Sequence, residues 1–165
     1  MIGMQIEIIT TGGTIDKVYF DAKGGYEVGP PMVEQILGRA RASIPISVTQ
    51  LLRKDSLEMT DADRAAVGAA VARSTATRII VTHGTDTMVA TATALGRVAD
   101  KTVVFTGALE PGRFTDSDAP FNLGMAVAAV QTLPPGVYIV ANGQVFTPDR
   151  VRKNAALNRF EAIDG

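Results

Sequence analysis

The stretch "RIIVTHGTDTMVATATALGRVADKTVVFTG", residues 78–107, decides the fold. Residues 78–82 are a β-branched apolar run of strand length, and residues 101–107 are another. Between them, residues 86–99 carry apolar side chains at helical spacing. Strand, helix and strand in that order make a β-α-β unit. Parallel neighbours need a long crossover, so the two strands are expected to run parallel. Continuous apolar runs without polar alternation further imply that helices cover both faces of the sheet.

The same alternation extends in both directions. Upstream, "MQIEIIT" (4–10) reads as a buried strand and "FDAKGGYEVGPP" (20–31) as a loop or short hairpin, rich in Gly and Pro. "PMVEQILGRARA" (31–42) reads as a helix with Pro at its start, where no N–H is needed, and "IPISVTQLL" (44–52) as a strand. "TDADRAAVGAAVARS" (60–74) reads as a helix. Thr60 followed by Asp63 is a start resembling a capping box. Downstream come helix 119–132, strand 136–141 and a tight hairpin at Asn142-Gly143. The tail from residue 147 has weak periodicity. The expected fold is three-layer α/β/α with a mostly parallel sheet, Rossmann- or flavodoxin-like, with a β-hairpin lid near the N-terminus, as one domain over residues 1–165.

The totals exclude several classes of function. The chain has 165 residues, 46% of them hydrophobic, which suits one domain with a core. A formal net charge of -1 gives no general attraction to nucleic acid or anionic membrane. The absence of cysteine excludes disulfides and thiolate metal sites, and a single histidine, His83, argues against a His-based metal site. No apolar run reaches the ~20 residues of a membrane span. "MIGMQIEIITTGG" has no basic leader pattern and reads as a core strand, so the cytoplasm is the expected location.

In sheets of this kind, ligands sit beyond the carboxyl ends of the strands. The segments leaving those ends are "TTGGT" (10–14), "RKDSLEMT" (53–60), "THGTDT" (82–87) and "TGALEP" (106–111). By itself, "TTGGT" suits a phosphate cradle, a tight turn or a nucleophile. A phosphate cradle needs glycines that open directly into a helix, but Gly12-Gly13 lead into "TIDKVYFDAKGGY", which is β-like and broken by glycine. There is no G-x-S-x-G elbow for a serine hydrolase. Hydroxyl chemistry without histidine remains. A Thr can attack once a neutral Lys or a tuned Tyr accepts its proton, and Gly12 and Gly13 allow backbone N–H groups to approach a substrate as an oxyanion hole requires. Asp86 beside Thr85 suits a substrate ammonium.

These residues also carry a resemblance. "TTGGTID" and "VTHGTDTM" resemble the two signature motifs of the bacterial-type L-asparaginase/glutaminase family. "DSLEM" (55–59), "VVFTGALEP" (103–111), "DAPFNL" (118–123) and "DRVRKNAALNRFEA" (149–162) resemble further stretches of that family, in order. The resemblance implies a cofactor-free amidohydrolase that turns asparagine into aspartate. It makes Thr14 the nucleophile and Tyr26 the lid tyrosine, with Thr85, Asp86 and Lys153 as a second catalytic set. Substrate contacts are implied at Gly13, Ser56, Leu57, Gly84, Thr85, Asp86 and, through its carbonyl, Ala108. It further implies that the chain corresponds to the family's N-terminal domain, with the smaller C-terminal domain absent, and that it forms a dimer or tetramer. Leu57, where many members have a polar residue, and Glu110, which replaces an Arg, depart from the pattern.

Plainer readings stand beside these. Gly12-Gly13 also suits a tight turn, Tyr26 a solvated ring, Ser56 a turn start and Asp86 a helix cap. Lys153, read without the resemblance, is part of a solvated basic run. His83 is expected to be a structural hydrogen-bonding residue. An inactive domain that binds an amide amino acid is the alternative to an enzyme.

Overall fold

A computed structural model describes residues 4–164. The strand expected at 4–10 forms as β1, Ile6–Gly12, and Gly12 and Gly13 both take positive φ at its end. Thr14–Asp16 is a single 3-10 turn. A hairpin follows, β2 (Lys17–Phe20) with β3 (Gly25–Val28), antiparallel and starting earlier than the loop read from the sequence. Helix α1 spans Val33–Arg39 and begins only after Pro30-Pro31, with Met32 as its N-cap. Strand β4 is Ile46–Lys54. Helix α2 is Asp61–Arg73, and the Thr60–Asp63 capping box is present with both bonds made.

Strand β5, Arg78–Thr82, leads through the "HGTDT" loop into α3, Met88–Leu95. That helix is shorter than the 86–99 segment expected. It stops where Gly96 turns to φ 61°, and Asp86 lies ahead of it, with no side-chain cap bond at its N-cap Thr87. Strand β6 (Thr102–Thr106), helix α4 (Ala119–Thr132) and strand β7 (Gly136–Ala141) follow. Asn142 and Gly143, both at positive φ, form the two-residue turn into antiparallel β8, Gln144–Phe146. The tail, unread as structure in the sequence, folds as a second hairpin, β9 (Val151–Asn154) with β10 (Arg159–Ala162).

The main sheet runs β4-β1-β5-β6-β7-β8, parallel except at β8. Counting only its parallel strands, the order is the flavodoxin-like 2-1-3-4-5. Alternate residues of each strand feed opposite layers. Ile8, Ile80, Val104 and Val140 pack against α1 and α4, while Ile9, Val81, Phe105 and Ile139 pack against α2 and α3. The chain leaves β1 toward β4 and then crosses back to β5. The crevice is therefore expected between the carboxyl ends of β1 and β5, where "TTGGT" and "THGTDT" emerge.

Candidate active site

The loops meet through glycines. A Cβ on Gly13 would lie 2.4 Å from the Gly84 nitrogen, one on Gly84 would lie 2.6 Å from Ser56 Oγ, and one on Gly107 would lie 2.2 Å from the His83 carbonyl oxygen. Four strand ends thus close on one another at backbone distance. Gly13 sits at φ 86°, ψ −176°, a region open essentially to glycine alone. Its N–H donates to the Lys54 carbonyl at 2.9 Å. That bond spends the Gly13 N–H on closing the strand ends.

Cross-ties hold the loops. The Thr11 hydroxyl donates to the Thr82 carbonyl at 2.8 Å, and the Thr87 hydroxyl to the Ser56 carbonyl at 2.7 Å. Asp55 accepts the Leu57 N–H at 3.0 Å and pairs with Lys17 of β2 at 3.0 Å. Burial acts to raise the Asp55 carboxyl, but the Leu57 N–H, Lys17 and Lys153 outweigh it and hold it below its ordinary value. Asn122 of α4 donates to the Gly107 carbonyl at 2.9 Å, and Asp118 accepts the Leu109 and Glu110 N–H groups. In the sequence, "DAPFNL" carries part of the resemblance but gives neither residue a task. The usable signal was a carboxylate followed four residues later by an amide, which share one helix face.

His83 is fully buried. Its Nδ1 lies 2.7 Å from the Gly84 carbonyl oxygen and its Nε2 lies 2.7 Å from the Thr91 hydroxyl. A carbonyl only accepts, so Nδ1 carries the proton and Nε2 accepts from Thr91. Burial lowers its pKa to about 4, against the bond to Gly84, which raises it. His83 is a neutral strut under the loop, as the plainer reading expected.

Thr85 and Asp86 lie on the loop between β5 and α3. Lys153 reaches both from β9, with Nζ donating to Thr85 Oγ1 at 2.8 Å and to Asp86 Oδ1 at 2.5 Å. The strand's period of two explains the aim. Val151 is buried in the layer of α2 and α3, and Lys153 follows it on the same side. Phe160 on β10 is buried beside it, and its N–H donates to Asn142 at 2.8 Å, which docks the hairpin against the β7–β8 turn. The Lys153 side chain is 16% exposed and that of Asp86 46%, so the pair opens to solvent on the Asp86 side. Asp86 spends its carboxylate on Lys153, not on the helix cap that the plainer reading allowed.

Other expected residues are dispersed. Thr14, half-buried, opens the 3-10 turn directly after Gly13. Ser56 and Ala108 are buried. Tyr26 is 51% exposed on β3, edge-on to Tyr19 and Phe114 at 5.4 and 6.0 Å. Leu57 is 73% exposed. Among the described residues, no hydrogen bond joins Thr14 to Tyr26 or to Lys153. Among those residues, too, no three His, Asp or Glu side chains gather to hold a metal ion, and no helix of the described residues is long and apolar enough to cross a membrane.

One residue of weight was missed. Asp16, two positions after Thr14, is 1% exposed and accepts the Met32 N–H at 2.9 Å. Burial drives its pKa up to about 7, against the Met32 N–H, Arg113 and Arg53, which lower it. Its signal was an acidic residue in an otherwise apolar and hydroxyl-rich run.

Comparison with known proteins places this geometry. The family model described as "Asparaginase, N-terminal" matches residues 5–164. The L-asparaginase of Thermococcus kodakarensis is 30% identical over 98% of this chain and 52% of its own length. The solved structure of the thermostable L-asparaginase from that organism superimposes with a TM-score of 0.87 at 29% identity, covering 98% of this chain and 52% of that one. The glutaminase-asparaginase of Acinetobacter glutaminasificans is 30% identical over 90% of this chain and 49% of its own length. L-asparaginase 2 of Escherichia coli is 32% identical over 90% and 46%. The chain spans about half the length of the curated asparaginases it matches.

Proposed function

The chain belongs to the asparaginase family, matching its N-terminal domain, and from that premise we propose that it hydrolyses the side-chain amide of L-asparagine to aspartate and ammonia. The observation that carries this reading is the Lys153–Thr85–Asp86 cluster, assembled from distant segments at the sheet's carboxyl edge. A domain that only bound an amino acid would have little use for a lysine held on a threonine hydroxyl.

Thr14 is the proposed nucleophile. Its oxygen bonds to the amide carbon, its proton passes to a neighbouring base, and the C–N bond breaks as the nitrogen takes a proton and leaves as ammonia. Water then adds to the resulting ester, aspartate departs and the Thr14 hydroxyl is restored. Tyr26 is proposed to swing over Thr14 and share in moving that proton. Its half-exposed place on a hairpin strand supports such a motion. Lys153 and Thr85 serve the second proton transfer. Ser56 is proposed to take the substrate carboxylate, with Leu57 beside it, and Asp86 the ammonium. Gly13 and Gly84 keep the backbone close, and the Ala108 carbonyl receives the leaving amide. No cofactor enters this scheme.

A partner copy is also proposed, as a dimer or tetramer. Tyr19, Phe20 and Tyr26 are all exposed on the β2–β3 hairpin, and self-association would cover them. Likeness to a glutaminase-asparaginase makes glutamine the second amide to try. The deciding experiment is ammonia release from asparagine and glutamine by the purified chain. Binding of asparagine or aspartate without turnover would replace the enzyme by the binding-module reading.

A further inference from the structure

Asp16 makes three ties, two through its backbone and one through its carboxylate. Its N–H donates to the Gly13 carbonyl at 3.1 Å, its own carbonyl accepts the Gly29 N–H at 2.6 Å, and its carboxylate accepts the Met32 N–H at 2.9 Å. The first bond closes the turn that opens with Thr14. The second continues the β2–β3 ladder past its last pair, Lys17 with Val28. The third reaches the entrance of α1. A Cβ on Gly29 would lie 2.9 Å from the Asp16 carbonyl oxygen and equally near Val18, so this closure excludes a larger residue. The preceding residue, Ile15, accepts the Gly112 N–H at 2.9 Å and fixes the other side of the turn.

A buried carboxyl is an expensive choice for so apolar a place, between Ile15 and Met32. An apolar side chain would pack there at less cost but would leave the Met32 N–H without its acceptor. From this geometry we infer that Asp16 is a positioning residue, whose carboxyl fastens the segment leaving the Tyr26 hairpin, at Met32, to the Thr14 turn and so fixes the base about which the hairpin moves. The inference rests on the roles proposed above for Thr14 and Tyr26. The hairpin's other anchors are at its flank: Lys17 on Asp55, and Arg53 Nε on the Val28 carbonyl at 2.7 Å. The Asp16 carboxyl ties the turn holding the nucleophile to Met32, three residues beyond Gly29 at the hairpin's exit.

The charged groups that act on Asp16 are Arg113, from the β6–α4 loop, and Arg53, from β4. Neither overcomes burial, so the carboxyl is neutral in acid and gains its charge near neutral pH, at the cost of holding that charge in a buried place, a cost expected to be met by loosening at the hairpin base.

The test compares Asp16→Ala, Asp16→Asn and wild type in kcat, KM and stability from pH 5.5 to 8.5, together with backbone amide exchange and amide shifts. Asn keeps the acceptor for Met32 and removes the ionisation. Positioning predicts that Asp16→Ala lowers kcat about tenfold or more in the folded fraction. Asp16→Asn should stay within about threefold and lose a rise in KM above pH 7 that wild type shows. The Gly29 and Met32 amide shifts should titrate together near pH 7 in wild type and not in Asp16→Asn. Exchange at Gly29, Met32 and the hairpin should rise together in Asp16→Ala. A folded Asp16→Ala with wild-type kcat, or an Asp16→Asn as impaired as Ala, overturns the inference. If Asp16→Ala does not fold, the wild-type and Asn titrations decide it, and independent titration of the two amides overturns it. If wild type releases no ammonia, the proposed function fails, while the exchange and shift measurements still judge Asp16.

Discussion

Lys153 and Thr85 are 68 residues apart in the chain and 2.8 Å apart in space, joined by one hydrogen bond from an ammonium to a hydroxyl. Asp86 holds the same nitrogen. Replacing Lys153 by Met keeps most of the side chain's length and removes both bonds. Lys153→Met is expected to lose turnover by ~10³-fold or more while still binding aspartate. Steady-state ammonia release and calorimetric titration with aspartate measure the two. Wild-type turnover in this variant would return Lys153 to the solvated basic run it resembles in sequence.

Thr14→Ala is expected to abolish turnover and leave the melting temperature near that of wild type. Thr14 is half-buried, and the turn's bonds are made by backbone groups of Gly13, Ile15 and Asp16. The loss should again be ~10³-fold or more. A retained rate would move the nucleophile, with Thr85 the next hydroxyl to test.

Gly13→Ala should damage both fold and site. The backbone conformation at Gly13 is strained for any L-residue, at about 1–3 kcal/mol. The new methyl would also press on Gly84, and overpacking of that kind adds about 1–3 kcal/mol. A lowered denaturation midpoint with an unchanged slope, together with lost turnover, is the expected pattern. A wild-type midpoint would mean that the loops separate without cost.

Two buried groups oppose each other in pH dependence. The His83 pKa is depressed from 6.5 to about 4, so its contribution is complete above pH 6.5 and is lost as pH falls toward 4. The Asp16 carboxyl is raised from 3.8 to about 7, so its contribution is complete below pH 3.8 and is lost as pH rises through 7. At about 1.4 kcal/mol per unit, these are roughly 3 and 4 kcal/mol of opposite sign. Urea-unfolding free energies of wild type should therefore change little between pH 4.5 and 6.5. Asp16→Asn should unmask His83 and lose stability on acidification through that window, yet exceed wild type at pH 8. Parallel profiles for the two proteins would contradict the assignment.

Much of the architecture was legible in local sequence. Helix α4 and strands β5 and β7 begin and end where periodicity and turn residues set them, and the Asn142-Gly143 turn and the Thr60 cap form as read. These features depend on a few neighbouring residues. The alternation of elements likewise determined a parallel sheet covered on both faces, and with it the edge where four polar loops meet.

Tertiary structure decided what those loops contain. "DRVRKN" has too few residues and too little alternation to declare a strand, and β9 exists because β10 pairs with it and Val151 and Phe160 are buried. Only then does Lys153 point at Thr85. Gly12 and Gly13 mark in the sequence a place of close backbone approach, but only the fold sets β4 alongside and makes Lys54 the acceptor of the Gly13 N–H. Asp16 looked like one more polar residue until Ile15, Met32 and Gly29 closed around it. Spacing along the chain determines which face a side chain takes, but burial, ionisation and the partner of a polar group depend on whatever remote segment packs there, and that information is spread over the whole fold.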